Sequence, residues 1–324
     1  MTPHKLILGC AMLAACMAQA QEAPRDLRKP LVQAQQRLAA RDYAAAYRLY
    51  ARHADTNPLA QFTLGMFERE GWGRKADPAA ACAWFDRAAR ADIPAARQFV
   101  GDCLAQGIGR SVDGAAAVQS YRKAAQLGIA YADCQAGALY MAGTIVPKDV
   151  TLGLRLCAAA AQAESPPAML KLADAYLEGV LAPQDLALAR YWYDQAAQRH
   201  SHEAQFRLGM MLSEGQGGTA DPARARFWLE HAAMEGFAPA YLPTAILYAN
   251  APLDPATGAL RPDDLAKVYM WNSAAKAYSL HPAQVAEIAR IDSLVLAVMP
   301  APWKPELDRR VADHLATYPA APVR

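Results

Sequence analysis

The stretch AWFDRAAR, at residues 83–90, returns as YWYDQAAQ at 191–198 and as FWLEHAAMEG from residue 227 onward. The last two copies begin 36 residues apart, and the first copy begins three such periods before the second. Four sets of residues keep this period along the chain: Ala88, Ala124, Ala160, Ala196 and Ala232; Ala60, Ala96, Ala132, Ala168, Ala204 and Ala240; Gly71, Gly107, Gly143, Gly179 and Gly215; and Asp77, Asp113, Asp149, Asp185 and Asp221. A repeat of this kind indicates stacked supersecondary units and places function on an extended surface.

Each repeat is predicted to hold two helices. Asp77-Pro78 has the form of a helix start, because the carboxylate accepts from free amides and proline needs no donor there. The alanine-rich stretch that follows carries apolar residues three and four apart, which predicts helix A. After a break at Asp92-Ile93-Pro94, helix B runs to about Gln106 and stops at Gly107, a residue that tolerates a left-handed cap.

Small residues at one register of helix B predict close packing between helices. Gly101 recurs as Gly137 and as Gly209, although glycine inside a helix costs about 1 kcal/mol relative to alanine. Bulky residues such as Trp84 and Phe85 lie at a fixed register of helix A. We therefore expect large side chains of one helix to fill the space over small residues of another.

The pattern A-x-x-W-[FY]-x-x-A-A, followed by A-x-x-x-x-G and G-x-G, resembles that of the Sel-one-like repeat family, which is related to the tetratricopeptide repeats. Helix B segments that carry it are AQFTLGMFEREGWG (60–73) and AQFRLGMMLSEGQG (204–217). The resemblance implies an all-α, right-handed α-solenoid of antiparallel helix pairs, with about six to seven repeats and C-terminal capping helices. It also implies an adaptor role in protein assemblies, and it carries no shared catalytic residue.

The repeats are expected over residues 42–280, after a lead-in at 21–41 and before capping helices and a tail at 281–324. Ala173 stands where other repeats have glycine, and Pro243 lies inside a predicted helix B, where it should kink the helix or remove a hydrogen bond. The next Ala-Ala pair, Ala274-Ala275, follows Ala232-Ala233 by 42 residues, so the loop at 251–262 holds about six extra residues.

Residues 1–20 have the features of an export signal. An apolar stretch of about ten residues follows Lys5, and Ala18-Gln19-Ala20 offers a small-residue cleavage site. An alternative to cleavage after Ala20 is processing before Cys16, because Leu13-Ala14-Ala15-Cys16 resembles a lipobox in which Cys16 would be acylated. Both alternatives place the body of the protein outside the cytoplasm, in the periplasm or as an outer-membrane lipoprotein tethered through Cys16.

The formal net charge of the 324-residue chain is +2. This balance, without a basic run, argues against nucleic acid or an acidic membrane surface as the main partner.

Four cysteines lie in the body of the chain: Cys82, Cys103, Cys134 and Cys157. An even number in an oxidising compartment suggests disulfides, and four cysteines allow three connectivities. Cys82 and Cys103 straddle an A–B turn symmetrically, and Cys134 and Cys157 straddle the next loop. We therefore predict the pairs Cys82–Cys103 and Cys134–Cys157; the alternative is buried free thiols.

Several short strings are better explained by structure than by chemistry. Glycine pairs such as Gly71-x-Gly73 recur with the period and follow helices, so they are not phosphate loops. His200, His202 and His231 form no complete ligand set, and neither G-x-S-x-G nor H-E-x-x-H occurs. We therefore predict no catalytic residue, no metal site and no cofactor.

The most informative outward position of helix A precedes the tryptophan register. It holds Arg155, Tyr191 and Phe227 in successive repeats, with Arg190 beside Tyr191. These four residues are the predicted partner-binding set, on the A helices that line the concave face of related solenoids. The alternative is that the two rings only cover the seam between repeats.

The sequence therefore predicts an exported, non-enzymatic scaffold that binds a protein of the cell envelope. The alternative is a binder of a small ligand, a β-lactam, peptidoglycan or another glycan, or a weak hydrolase, for which the sequence offers no convergent polar pocket.

Overall fold

The computed structural model describes residues 27–278 and 281–319. Within these residues it contains sixteen α-helices, three short 3₁₀-helices and no strand, which confirms the all-α prediction. The predicted export signal, including Cys16 and Ala20, lies outside the described residues. The chain divides into two compact units, which meet in sequence between Ala168 and Met169, and each is described by itself.

The first unit holds a 3₁₀ turn and eight complete helices. They are Lys29–Leu31 (3₁₀), α1 Val32–Ala39, α2 Tyr43–Ala51, α3 Pro58–Glu70, α4 Pro78–Ala89, α5 Pro94–Gln106, α6 Gly114–Gln126, α7 Tyr131–Ala142 and α8 Val150–Gln162. From α3 onward, odd-numbered helices are the B helices of the sequence pattern and even-numbered ones the A helices, up to the capping helices that follow residue 280.

The unit boundary falls within α9, Pro166–Glu178, and the second unit continues the alternation. Its further helices are α10 Leu186–Gln198, α11 His202–Glu214, α12 Pro222–Met234, Ala238–Ala240 (3₁₀), α13 Tyr241–Ala249, α14 Pro262–Lys276, α15 Pro282–Val298, Ala301–Trp303 (3₁₀) and α16 Lys304–Thr317.

The periodic aspartates are helix caps, as predicted. The Asp77 carboxylate accepts from the amide of Ala80, and the later aspartates of the series do the same for the amide three residues on. These aspartates begin the A helices. At the end of a B helix, Gly107 has φ +68° and its amide donates to the Cys103 carbonyl. Local hydrogen bonds therefore fix where the A helices begin and where this B helix ends.

The glycines inside the B helices allow the next A helix to approach closely. A Cβ atom on Gly101 would lie 2.5 Å from the ring of Tyr121 on α6, and one on Gly209 would lie 2.6 Å from Leu229 on α12. The closest helix pairs are accordingly a B helix and the A helix that follows it, such as α5 with α6 and α11 with α12. Each pair forms one layer of the core.

Both predicted disulfides are present. Cys82 of α4 is bonded to Cys103 of α5, with Cα atoms 6.0 Å apart, and Cys134 of α7 to Cys157 of α8, with Cα atoms 4.0 Å apart. All four side chains are buried. The bonds join neighbouring helices inside the first unit, and their presence indicates an oxidising compartment.

Pro243 has a different effect from the one expected. The B helix of its repeat begins with the 3₁₀ turn Ala238–Ala240, and α13 starts only at Tyr241, so Pro243 lies in the first turn of an α-helix. Proline is tolerated there, because the first amides of a helix have no partner within it. The result is a helix of nine residues where α11 has thirteen.

The last two helices both pack on α14. Helix α15 packs on α14 through Ile288, Ile291 and Val295, and α16 packs on α14 as well.

Within residues 27–278 and 281–319, none of the helices is both long and apolar enough to cross a membrane.

Candidate partner-binding surface

Two aromatic side chains in the same register of neighbouring A helices form what we call the aromatic ridge, Tyr191 on α10 and Phe227 on α12. Each side chain is 51% exposed. Their ring contacts lie within their own helices: Tyr191 lies edge-on to Trp192 at 5.0 Å, and Phe227 lies 4.9 Å from Trp228 and 4.4 Å from His231. About half of each residue's surface is therefore open to solvent.

A polar pocket of about 280 Å³ adjoins the ridge. Arg190 and Tyr191 line it from α10, and Arg224 from α12. The Arg224 guanidinium donates to the Asp194 carboxylate at 3.0 Å, whereas that of Arg190 donates to the Thr219 carbonyl at 3.1 Å. The pocket wall therefore has two cations and one carboxylate.

The Gly-rich loop after α11 holds Arg190 in this position. Gly217 has φ +69°, and a Cβ atom there would lie 2.2 Å from the Leu186 carbonyl oxygen. A Cβ atom on Gly218 would lie 2.8 Å from Nη1 of Arg190. Only glycine fits this close approach of the loop to α10.

The fourth predicted residue, Arg155, has the same register on α8 in the first unit, and it is exposed. The structure thus brings Arg190 and Tyr191 to one pocket, with Phe227 on the next A helix of the same unit. Arg155 is described only within its own unit.

The register has a further member that the sequence analysis missed. Tyr269 follows Phe227 by 42 residues, the same offset that separates Ala232 from Ala274. It is only 6% exposed, because its hydroxyl donates to Asp308 of α16 at 2.5 Å, and Lys304 lies 5.8 Å from its ring. Helix α16 therefore covers the position that is open in the two preceding repeats.

A larger pocket, of about 480 Å³, lies between α12, α14 and α16. Its apolar wall includes Met234, Met270 and Trp271, and its polar side chains include Arg310 and His314. Sequence reasoning found no such pocket, since it requires α16 to fold back on α14. Its volume lies within the range of small-molecule sites.

A half-buried hydrogen-bond network borders this pocket. Tyr248 donates to Glu230 at 2.6 Å, and Lys267 donates to both the Tyr248 oxygen, at 2.9 Å, and Glu230, at 3.0 Å. Burial and the Glu230 carboxylate raise the pKa of Tyr248. Burial acts to lower the pKa of Lys267, but its two hydrogen bonds outweigh this and raise it. The network joins three helices: Glu230 of α12 and Lys267 of α14 form an ion pair, and the Tyr248 hydroxyl of α13 is hydrogen-bonded to both.

The His314 side chain of α16 packs against α13 and α14. Its Nε2 lies 2.9 Å from the Tyr241 hydroxyl, and its ring stands edge-on to Trp271 at 5.4 Å. Burial lowers the pKa of His314. The imidazole is therefore neutral at neutral pH and serves as a docking contact.

In the described part of the chain, no three His, Cys, Asp or Glu side chains converge in a group that could hold a metal ion.

Comparison with solved structures shows what the fold is similar to. The Sel1 repeat protein from Oxalobacter formigenes superposes with a TM-score of 0.61 at 27% identity, over 77% of this chain and 100% of that one. A protective antigen present in uropathogenic Escherichia coli strains, which displays an SLR fold, also gives a TM-score of 0.61, at 21% identity over 85% of this chain. This chain spans 57% of the length of that antigen. A search of curated proteins finds no match.

The family model for the Sel1 repeat matches five consecutive segments, residues 58–93, 94–129, 130–165, 166–201 and 202–237. Each segment contains one B helix and the A helix that follows it, which is the pair joined through the B-helix glycine in α5–α6 and α11–α12. The matched unit is thus the packing unit of the fold, and the chain belongs to the Sel1 repeat family.

Proposed function

We propose that this protein is an exported scaffold that binds a segment of a partner protein in the cell envelope through the aromatic ridge. The observation that carries the proposal is the repetition of a half-exposed ring at one register of adjacent A helices. The Sel1 repeat fold supports it, because this fold generally serves protein interaction.

The chemistry of the ridge supports the choice of a protein segment. Exposed Tyr and Phe rings beside arginine are the residue types that protein interfaces favour. The pocket next to Tyr191 carries Arg190 and Arg224 against the single carboxylate of Asp194. A partner segment with an apolar anchor and an acidic neighbour would complement this surface, and binding would proceed without a chemical step.

Export rests on the sequence of residues 1–20 and on the two disulfides, which require oxidation. Release after Ala20 would give a periplasmic protein, and processing at Cys16 an outer-membrane lipoprotein. Either form presents the ridge outside the cytoplasm.

A photo-crosslinking amino acid placed at Tyr191 or Phe227 tests the proposal in the native envelope. The matched control carries the same amino acid at Val180, which is exposed in the same unit but lies off the ridge. We expect one defined protein to be crosslinked from both ridge positions and not from residue 180. Equal labelling from all three positions, or no protein adduct, would count against a ridge-bound partner.

The 480 Å³ pocket favours a second candidate function, binding of a small ligand such as a β-lactam or a peptidoglycan fragment. Thermal shift with these compounds tests it. The Ala266→Phe variant, which would fill the pocket, should remove any stabilisation that the wild type shows. A stabilisation that survives in this variant would place the ligand elsewhere.

A further inference from the structure

The C-terminal helix α16 docks on the second unit as an amphipathic helix. Its inward side chains recur three or four residues apart and are at least partly buried, whereas most side chains between them are exposed. The inward set consists of Trp303, Leu307, Val311, Leu315 and Tyr318. Such a stripe is typical of a helix that lies in a groove between other helices.

The surface that α16 borders continues the face of the aromatic ridge. Glu230 and Met234 lie three and seven residues after Phe227, so they share its face of α12. Both line the 480 Å³ pocket, whose opposite wall includes Arg310 of α16. Helix α16 is therefore an occupant, supplied by the chain itself, at one end of the face that carries the ridge.

At the ridge register, α16 is held by a hydrogen bond from tyrosine to a carboxylate. The Tyr269 hydroxyl donates to Asp308 at 2.5 Å, and Lys304 donates to the second oxygen of the same carboxylate at 2.6 Å. These two hydrogen bonds lower the pKa of Asp308, so the acceptor is charged at neutral pH. Tyr191 offers a hydroxyl at the same register, and among the described residues this hydroxyl has no hydrogen-bond partner.

Each ring of the ridge is preceded by an arginine that pairs with no carboxylate in the described part of the chain. Arg190 donates to the Thr219 carbonyl, and the guanidinium of Arg226 lies 5.9 Å from the ring of Tyr248. The carboxylates that line the two pockets from α10 and α12 already pair with cations of the next A helix. The ridge therefore has an excess of positive charge, which an acidic partner would complement.

We infer that the segment bound by the aromatic ridge is an amphipathic α-helix with a carboxylate that accepts from the Tyr191 hydroxyl, as α16 is held on α14. This rests on the proposed function, because it names the class of partner for the same surface. In α16 the carboxylate follows the buried Leu307 of the inward stripe. The equivalent apolar side chain of the partner helix would contact Phe227.

A synthetic peptide with the sequence of residues 300–319 is the probe, because it carries the α16 stripe and Asp308. Fluorescence anisotropy measures its binding to the intact mature chain, and NMR of the isotope-labelled peptide reports whether it is helical when bound. We expect saturable binding as a helix. Tyr191→Phe removes only a hydroxyl from an exposed ring and should weaken binding about ten-fold or more, as expected for a hydrogen bond to a charged group.

The peptide with Asp308→Asn should bind as weakly as the wild-type peptide binds the Tyr191→Phe chain. Combining the two changes should add little further loss, because both remove the same hydrogen bond. Tyr176→Phe is the matched control, since it removes a hydroxyl from a B helix of the same unit, and it should leave the affinity unchanged. Absence of binding, a bound peptide without helical structure, or an affinity that Tyr191→Phe leaves intact would overturn the inference.

The Tyr269→Phe variant identifies exchange of the peptide with α16. A loss of binding in this variant that Tyr191→Phe does not reproduce would place the peptide on α14 and would overturn the assignment to the ridge. We expect the reverse, because α16 already occupies α14.

Photo-crosslinking from residues 191 and 227 separates the class of partner from the proposed function. A defined protein adduct together with absent peptide binding would keep the ridge as a contact surface and overturn the acidic helix as its occupant. Peptide binding that depends on Tyr191, without any protein adduct, would support the acidic helix and count against an envelope protein as the partner.

Discussion

Single glycines determine how closely neighbouring segments approach in this chain. Gly101 admits the ring of Tyr121, whose hydroxyl then donates to Asp102 at 2.7 Å. Gly217 admits the Leu186 carbonyl and so fixes the loop beside Arg190. At both positions the absence of a side chain permits a close contact. At Gly101 this contact positions the Tyr121 ring, and at Gly217 it positions the loop next to Arg190.

Replacement of Gly217 by alanine should destabilise the second unit. The added Cβ atom would overlap the Leu186 carbonyl at 2.2 Å, in addition to the strain at φ +69°. The control is Gly258→Ala, because Gly258 has φ +66° and a Cβ atom there would meet nothing within 4 Å. We expect Gly217→Ala to lower the free energy of unfolding by about 1–3 kcal/mol more than the control, in urea titrations.

Equal effects of the two substitutions would mean that the close approach at Gly217 contributes nothing to the free energy of unfolding.

Individual residues also show which features of the fold can be predicted from the sequence. The Asp77 cap and the Gly107 stop follow from hydrogen bonds between neighbours in the chain, so they could be predicted. The burial of Tyr269 could not be, because it depends on α16, which lies outside the period.

At the scale of elements, α16 is held to the second unit by a few specific contacts. Besides the Tyr269–Asp308 bond, the Tyr318 carbonyl accepts from the Tyr278 hydroxyl, and His314 meets Tyr241. A neutral imidazole suits the last contact, since burial disfavours the charged form.

Attachment of α16 should weaken in acid. The pKa of His314 is lowered by burial from its usual 6.5, so the unfolded chain binds a proton more readily than the folded one below that pH. Stability is therefore lost as pH falls from 6.5 through the lower, folded-state pKa. The His314→Gln variant cannot titrate, and its unfolding free energy should change less over this interval.

Urea unfolding of both proteins, followed about one pH unit above and below 6.5, measures the difference. An identical pH dependence for wild type and variant would show that His314 does not contribute.

The disulfides act on elements of the first unit. Removal of the Cys82–Cys103 bond by a double substitution to alanine should lower the free energy of unfolding by about 3 kcal/mol, because it releases a loop closed across 21 residues. The Cys134–Cys157 bond stays intact in this variant and serves as the internal reference. Denaturant titration without reductant checks the value, and a variant as stable as the wild type would contradict it.

Element spacing also shows where sequence reasoning stops. The export signal favours disulfides over free thiols, and the symmetric positions of Cys82 and Cys103 about an A–B turn predict which cysteines pair. Helix α15 was expected only as a cap, because its starting proline lies outside the 36-residue period. Its packing on α14 through Ile288, Ile291 and Val295 depends on contacts that the period does not describe.

At the scale of the whole molecule, repetition places half-exposed rings at one position of consecutive A helices, and these rings form the proposed binding surface. Tyr191 and Phe227 lie one period apart on consecutive A helices, and both remain half exposed. Neither ring is needed for the core, which Tyr193 and Leu229 fill at full burial. The exposed rings can therefore be changed without loss of the fold.

The proposed export predicts how the N-terminus and the cysteines are processed in the cell. We expect mass spectrometry of the cell-derived chain to find either an N-terminal Gln21 or an acylated Cys16, with both disulfides formed. A chain that retains residues 1–15 and carries free thiols would contradict export.

The most direct test of the central claim is an affinity measurement with the partner that the ridge crosslinks. We expect the Tyr191→Ala/Phe227→Ala variant to bind at least about ten-fold more weakly than the wild type, since truncation of interface anchors commonly costs 2 kcal/mol or more, about a thirty-fold change. The Val180→Ala control should bind as the wild type does. Unchanged affinity in the folded double variant would show that the aromatic ridge is not the binding surface.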